Sequence, residues 1–272
     1  MVLRPTAPAT TSSGPQTPVP AWDAVSRAQK QAASSWWLIA QPDHAALAGD
    51  LAANLSSPLF PQLGAEILEA IAVHDAGWAQ FDSLQLPSQE LSSQSVPPFG
   101  RVQGKRPLSF LDINPTDFLL AWIGSIERAA RSSVLGGIMV SHHFSRIAQT
   151  RLRLADDPTE DRERIRRFLD GETARRRNLE TQAVRPPAEI ELLVDILQFC
   201  DLFSLYLCCG ACEAVEFPQR FRSQIIRVHR EDKMYVTTPA IFGRGVSLGV
   251  TARPFPPGSH PHHAMTIPFL LS

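Results

Sequence analysis

Three histidines and two aspartates fall where a helical pattern calls for apolar side chains. His44 shares a stripe with Leu47, Ala48, Leu51 and Leu55. His74 and Asp75 continue the stripe of Ile67, Leu68 and Ile71, with Trp78 following. His143 stands in one i,i+4 row with Met139 and Ile147, whereas His142 follows Ile138 on a face turned by about 100°; the row favours His143. Asp201 sits among Leu197, Gln198, Ser204 and Leu205. A buried carboxylate with no partner costs several kcal/mol, so something positive is expected opposite Asp75 and Asp201. Imidazole and carboxylate donors together suit divalent iron, manganese or zinc. We therefore take His44, His74, Asp75, His143 and Asp201 as candidate ligands for one or two ions. The alternative is a buried His–Asp hydrogen-bond network without metal.

The elements that must carry these residues read as six helices. Pro42 and Asp43 start the first, continued by Ala45 to Leu55. The second covers about Gly64 to Trp78, and the third begins at Thr116 as N-cap with Asp117 in its first turn. Gly136-Gly137 separates it from a fourth, Ile138 to Leu154. The fifth opens with Pro158-Thr159-Glu160-Asp161 and reaches about Gln182; the sixth starts at Pro186-Pro187. Residues 83–107, rich in Pro, Gly and Ser, read as a long loop. Trp36-Trp37-Leu38-Ile39 reads as a short strand or an extended lead-in. Beyond Pro218 the pattern turns β-like, over Gln224 to His229, Lys233 to Thr238 and Val246 to Ala252. The expected fold class is mainly α: a helical bundle over 36–217, a disordered tail over 1–35, and a small β-rich appendix over 218–272.

Composition narrows the function classes. The 272 residues are 44% hydrophobic and 19% charged, with a formal net charge of −1, an ordinary globular balance. Nothing here gives the basic excess that nucleic acid requires, nor a polybasic tail for a membrane surface. Residues 151–185 hold ten Arg but also eight Asp or Glu, which reads as a solvated helix. The most apolar stretch, Ile190 to Cys212, contains Glu191, Asp195 and Asp201, so it reads as a core helix rather than a membrane span. Cys200, Cys208, Cys209 and Cys212 read as reduced, apolar side chains. No secretory signal is visible, and a cytoplasmic location is expected. His260, His262 and His263 lie in a Pro/Gly-rich segment with no carboxylate or thiolate, which suits adventitious metal binding only.

The order His44, His74-Asp75, Asp201 resembles the HD-domain superfamily of metal-dependent phosphohydrolases. Trp37 to Gly49, the run His74-Asp75-Ala76-Gly77-Trp78 with Asp82 downstream, Val140-Ser141-His142-His143-Phe144, and Leu197 to Asp201 are similar to an uncharacterised family, domain-of-unknown-function family 3891. The resemblance covers roughly residues 36–255 and implies an HD-like helical bundle with a metal centre. It departs from dinuclear members in offering only His143, or the pair 142/143, as extra histidines, and it has no Lys beside His74-Asp75. It implies a hydrolase of a small phosphate ester or nucleotide, with Asp75 as catalytic carboxylate. Trp78 and Asp82 would then line the mouth and Arg146 would grip the phosphate, with Arg101, Lys105 and Arg106 closing over it. The same fold also implies a di-iron oxygenase as an alternative, and a non-enzymatic metal- or ligand-binding module as another. The sequence leaves the oligomeric state open.

Overall fold

The structure is a computed structural model that describes residues 1–7, 17–83, 102–103, 106–182, 185–256 and 264–272. Among these residues the helices are α1 Ala21–Lys30, α2 Gln41–Ala53, α3 Ala65–Ala72, α4 Ala79–Ser83, α5 Pro115–Ser132, α6 Val134–Leu154, α7 Thr159–Glu180 and α8 Pro187–Cys209. The strands are β1 Val2–Pro5, β2 Val19–Pro20, β3 Trp36–Ile39, β4 Val102–Gln103, β5 Arg106–Pro107, β6 Val215–Phe221, β7 Gln224–Glu231, β8 Met234–Thr238, β9 Val246–Phe255 and β10 Met265–Leu271.

Eight of the strands form one curled mixed sheet, a half-barrel, in the order β1-β3-β9-β10-β8-β7-β6-β2. This overturns the expected helical bundle with a small β-rich appendix. The sheet is a layer of the fold itself and takes strands from both ends of the chain. Val2 to Pro5 pair antiparallel with Trp36 to Ile39, and Trp36 to Leu38 pair antiparallel with Arg253 to Phe255. The N-terminal strands escape a local reading because two to four residues are too short to display alternation. β2 pairs with β6, Val19 beside Val215, and β3 with β9, Trp36 beside Phe255, separations that no window of sequence reports. The lead-in over 1–35, expected to be disordered, carries β1, β2 and α1. Met1, Val2 and Leu3 are buried, as are Ala21, Ala24 and Val25.

Gln29 of α1, itself 1% exposed, closes the free edge of β1. Its Oε1 accepts from the Leu3 N–H at 2.9 Å, and its Nε2 donates to the Leu3 carbonyl at 2.7 Å. A side-chain amide thus stands in for the missing neighbouring strand.

The helices follow the sequence reading more closely, with informative shifts. Asn114, not Thr116, caps α5, its side chain accepting from the Asp117 N–H. The break before α6 falls at Ser133, which caps it by accepting from the Gly136 N–H; Gly136 and Gly137 lie inside the first turn. The second expected helix stops at Ala72, so His74 and Asp75 stand in a turn, followed by a single 3-10 turn over Ala76–Trp78. Helix α8 runs through the middle of the molecule, packed by α1, α2, α3, α6, β1 and β6. It is the one helix among the described residues that is long and apolar enough to cross a membrane, and most of that length is buried inside the protein. Phe199 and Phe203 of α8 meet Phe217 of β6, which ties the helices to the sheet. All four cysteines are free.

Gln29→Ala is expected to leave both main-chain groups of Leu3 buried and unpaired. The expected loss is about 2 kcal/mol in urea unfolding, with the denaturant slope unchanged.

Candidate metal centre

The five candidate ligands converge on one buried point. His44 comes from the first turns of α2, His74-Asp75 from the turn after α3, His143 from the middle of α6, and Asp201 from the middle of α8. His44 and His74 are fully buried, His143 is 2% exposed and Asp75 5%. Asp201, with 14% of its side chain exposed, is the most open of the five. His44 and His74 rings meet edge to face with centroids 5.3 Å apart, and His74 meets His143 at the same separation.

Two close approaches of backbone bring these segments together. A Cβ on Gly49 of α2 would lie 2.6 Å from the Ala72 Cβ at the end of α3. A Cβ on Gly77, two residues after Asp75, would lie 2.0 Å from the Ala121 carbonyl oxygen of α5. Glycine is required at both places. The Gly77 N–H donates to Ser125 Oγ at 2.9 Å, which pins the turn to α5.

The outward nitrogens of two rings are held. His74 Nδ1 lies 2.7 Å from the Ile71 carbonyl oxygen, in the last turn of α3, which also accepts from the His74 N–H at 3.4 Å. A carbonyl accepts only, so Nδ1 carries the hydrogen and Nε2 points inward. His44 Nδ1 lies 2.8 Å from Ser204 Oγ. On the inner side His44 Nε2 is 2.8 Å from Asp75 Oδ2. His74 Nε2 is 3.3 Å from Asp201 Oδ1 and 3.9 Å from Asp75 Oδ2. His143 Nε2 is 3.8 Å from Asp201 Oδ2. The His74 Nε2 contact with Asp201 is close but not aligned as a hydrogen bond, and His143 Nδ1 has no hydrogen-bond partner among the described residues. Two sets of three residues, His44/His74/Asp75 and His74/His143/Asp201, each bring their donor atoms within 4.8 Å of one another.

Among the described residues the ion pairs of Asp75 and Asp201 are with histidines alone. The electrostatics follow. Burial pushes the His74 imidazole down, but the Asp75 and Asp201 carboxylates more than offset it and raise it to about 9. Burial pushes Asp201 up, and the close approach and charge of His74 outweigh that, bringing it to about 2. His143 goes the other way: burial lowers it to about 4, with the Asp201 charge opposing and the His74 charge assisting. The protein without metal therefore stores a proton on His74 between two carboxylates and keeps His143 neutral. A divalent cation would take the place of that proton, and inward lone pairs on nitrogen beside two carboxylates are the donors such an ion needs.

The remaining candidates lie elsewhere. Asp82, expected at the mouth, is 2% exposed and serves α2 instead. Its Oδ2 accepts from the Gln41 N–H at 2.6 Å, and its Oδ1 lies 3.2 Å from the Met1 ammonium. It holds the start of the helix that carries His44, and its charge suits a helix N-terminus. Trp78 is buried and packs edge to face on Phe81, its Nε1 without a hydrogen-bond partner among the described residues. Arg146 spends its NH1 on Asp195 at 2.6 Å and Gln198 at 2.7 Å and its NH2 on Glu191, all on α8. Arg106 donates to the Gln29 carbonyl and pairs with Asp112. His142 stands apart from the cluster, near Glu180 and Glu191. Arg101, Lys105, His260, His262 and His263 lie outside the described residues.

The chain matches the family described as "Protein of unknown function (DUF3891)" over residues 28–256. It belongs to that family. No curated protein and no solved structure matches it. The matched span contains all five residues of the cluster and starts within α1.

Because its folded value lies above the ordinary one, His74 adds stability that is complete below about pH 6.5 and is lost as pH rises through 9. Metal-free protein is expected to lose roughly 3 kcal/mol of unfolding free energy across that window. His74→Gln is expected to flatten the slope in pH-dependent urea titrations.

Proposed function

We propose that the protein is a metal-dependent hydrolase of small phosphate esters, nucleotides among them, working with one divalent ion of the iron, manganese or zinc class. The observation that supports the reading is a buried set of donors in which two carboxylates face histidine nitrogens and, among the described residues, pair with no Arg or Lys. His44, His74, Asp75 and Asp201 would hold the ion, with His143 as a further donor. The two overlapping three-residue sets share His74, whose only inward nitrogen is Nε2, so a single ion uses that donor up. One ion favours hydrolysis over the two-iron chemistry of an oxygenase. The preference for a phosphate ester rests on the order His44, His74-Asp75, Asp201, which resembles the HD-type phosphohydrolases.

A bound divalent ion brings the pKa of a coordinated water toward about 7 and polarises a phosphoryl oxygen. The protein's own residues do the rest. The Ile71 carbonyl and Ser204 hold the two rings so that Nε2 faces inward. Asp75 Oδ2 lies beside His44 Nε2 as a neighbouring donor atom of the ion site, so Oδ1 is the oxygen that would receive a proton. Asp201, the most exposed of the five, marks the side from which a substrate approaches. The surrounding apolar side chains exclude bulk water and strengthen each charge interaction.

The test is elemental analysis of protein purified without metal-affinity steps, beside an Asp75→Ala/Asp201→Ala double variant, followed by a panel of phosphate monoesters, diesters and nucleotides. About one equivalent of metal in the first and none in the second is expected, with hydrolysis of at least one panel member that the double variant abolishes. Two irons with oxygen consumption would replace the reading by the oxygenase. A full metal complement with no turnover would replace it by a binding module. No metal after reloading would sink it.

A further inference from the structure

We infer that Ser204 is a positioning residue that decides which nitrogen of His44 faces the carboxylates. Ser204 is fully buried on α8, one turn beyond Asp201. Its Oγ lies 2.8 Å from the Asp201 main-chain carbonyl oxygen and 2.8 Å from His44 Nδ1. A carbonyl oxygen can only accept, and a hydroxyl has one hydrogen to give. Ser204 therefore donates to Asp201 O and accepts from His44 through its lone pair. That places a hydrogen on His44 Nδ1, so that in the neutral ring Nε2 is the nitrogen with a lone pair, 2.8 Å from Asp75 Oδ2. A bare nitrogen and a carboxylate oxygen at that distance repel unless a proton or a metal ion lies between them. The relay from Nδ1–H through Oγ–H to a main-chain carbonyl thus prepares Nε2 as a donor for a positive ion, as the Ile71 carbonyl does for His74.

Ser204 touches neither ion nor substrate in this arrangement. Without its hydroxyl, the favourable tautomer of His44 is the other one, in which Nε2 carries the hydrogen and donates it to Asp75. That tautomer gives up the donor atom. The relay also spans α2 and α8, so one hydroxyl sets His44 against the helix that carries Asp201. The part of this inference that concerns metal affinity rests on the proposed metal centre; the assignment of the tautomer stands without it.

The experiment compares the full chain with Ser204→Ala and Ser204→Thr, with the fold of each checked by circular dichroism. Nitrogen-15 spectra of the imidazoles are recorded on metal-free protein at mildly alkaline pH, and zinc(II) and manganese(II) are titrated separately. The expected result is Nδ1–H at His44 in the starting protein and in Ser204→Thr, and Nε2–H in Ser204→Ala. Metal affinity is expected to fall about 10- to 100-fold in Ser204→Ala and to be kept in Ser204→Thr. Nε2–H in the starting protein, or Nδ1–H persisting in Ser204→Ala with unchanged affinity, overturns the inference. A tautomer switch with no ion bound by any of the three proteins upholds Ser204 and overturns the metal centre instead.

Discussion

Among the described residues, the buried carboxylates Asp75 and Asp201 form their ion pairs with histidines alone. Taking each from water costs several kcal/mol, and an imidazole repays that only if it carries a positive charge or shares one. This single constraint organises the centre. It explains why three rings crowd to edge-to-face separations of about 5 Å rather than spreading through the core. It explains why His74 is driven strongly toward its protonated form while His143, one ring further on, is kept neutral. One positive charge fits the space between two carboxylates; a second ring charged beside it would repel the first.

Holding that charge in place falls to elements that never touch it. β3 ends at Ile39 and α2 begins at Gln41, so the position of His44 is inherited from the register of β3 in the sheet. That register pairs Leu38 with Leu3 on one side and with Arg253 on the other. A slip of one residue would reverse every side chain of β3 and swing the start of α2 with it. Asp82 then takes the first N–H of α2, and the close contact of Gly49 with Ala72 presses α2 on the end of α3. The half-barrel is therefore part of what positions the site, and the chain closes it with strands from both of its described ends.

The site was far more legible in the sequence than the fold. Polar residues on an apolar stripe are a local signal, and His44, His143 and Asp201 were each readable from the spacing of their own helix. His74 and Asp75 were found for a partly mistaken reason. The stripe from Ile67 reads as one continuous helix, whereas α3 ends at Ala72 and the pair stands in the turn beyond it. The inward direction survived because the His74 ring returns to cap the Ile71 carbonyl. Strands β7, β8 and β9 are legible as local patterns; the extent of the sheet is not, because β1 and β2 are short and β2 and β3 pair with strands far along the chain. Asp82 and Arg146 were misread as mouth and phosphate grip because sequence shows a charge but not the bonds that already occupy it. Arg146 has Asp195, Gln198 and Glu191 one helix away, and Asp82 has the main chain of α2.

The groups that orient the rings were hidden for a related reason. The Ile71 carbonyl is main chain, and every residue has one; only the end of a helix makes it available. Ser204 sits three residues beyond Asp201 on an otherwise apolar face, so an Asp-x-x-Ser spacing was present, yet a buried serine on a helix ordinarily bonds back to its own backbone. Here it does that too, donating to Asp201 O, and the bond is what leaves its lone pair free for His44. The ordinary behaviour of a helical serine and the special demand of a ligand histidine are met by the same hydroxyl. Its role becomes visible only when α2 is set against α8.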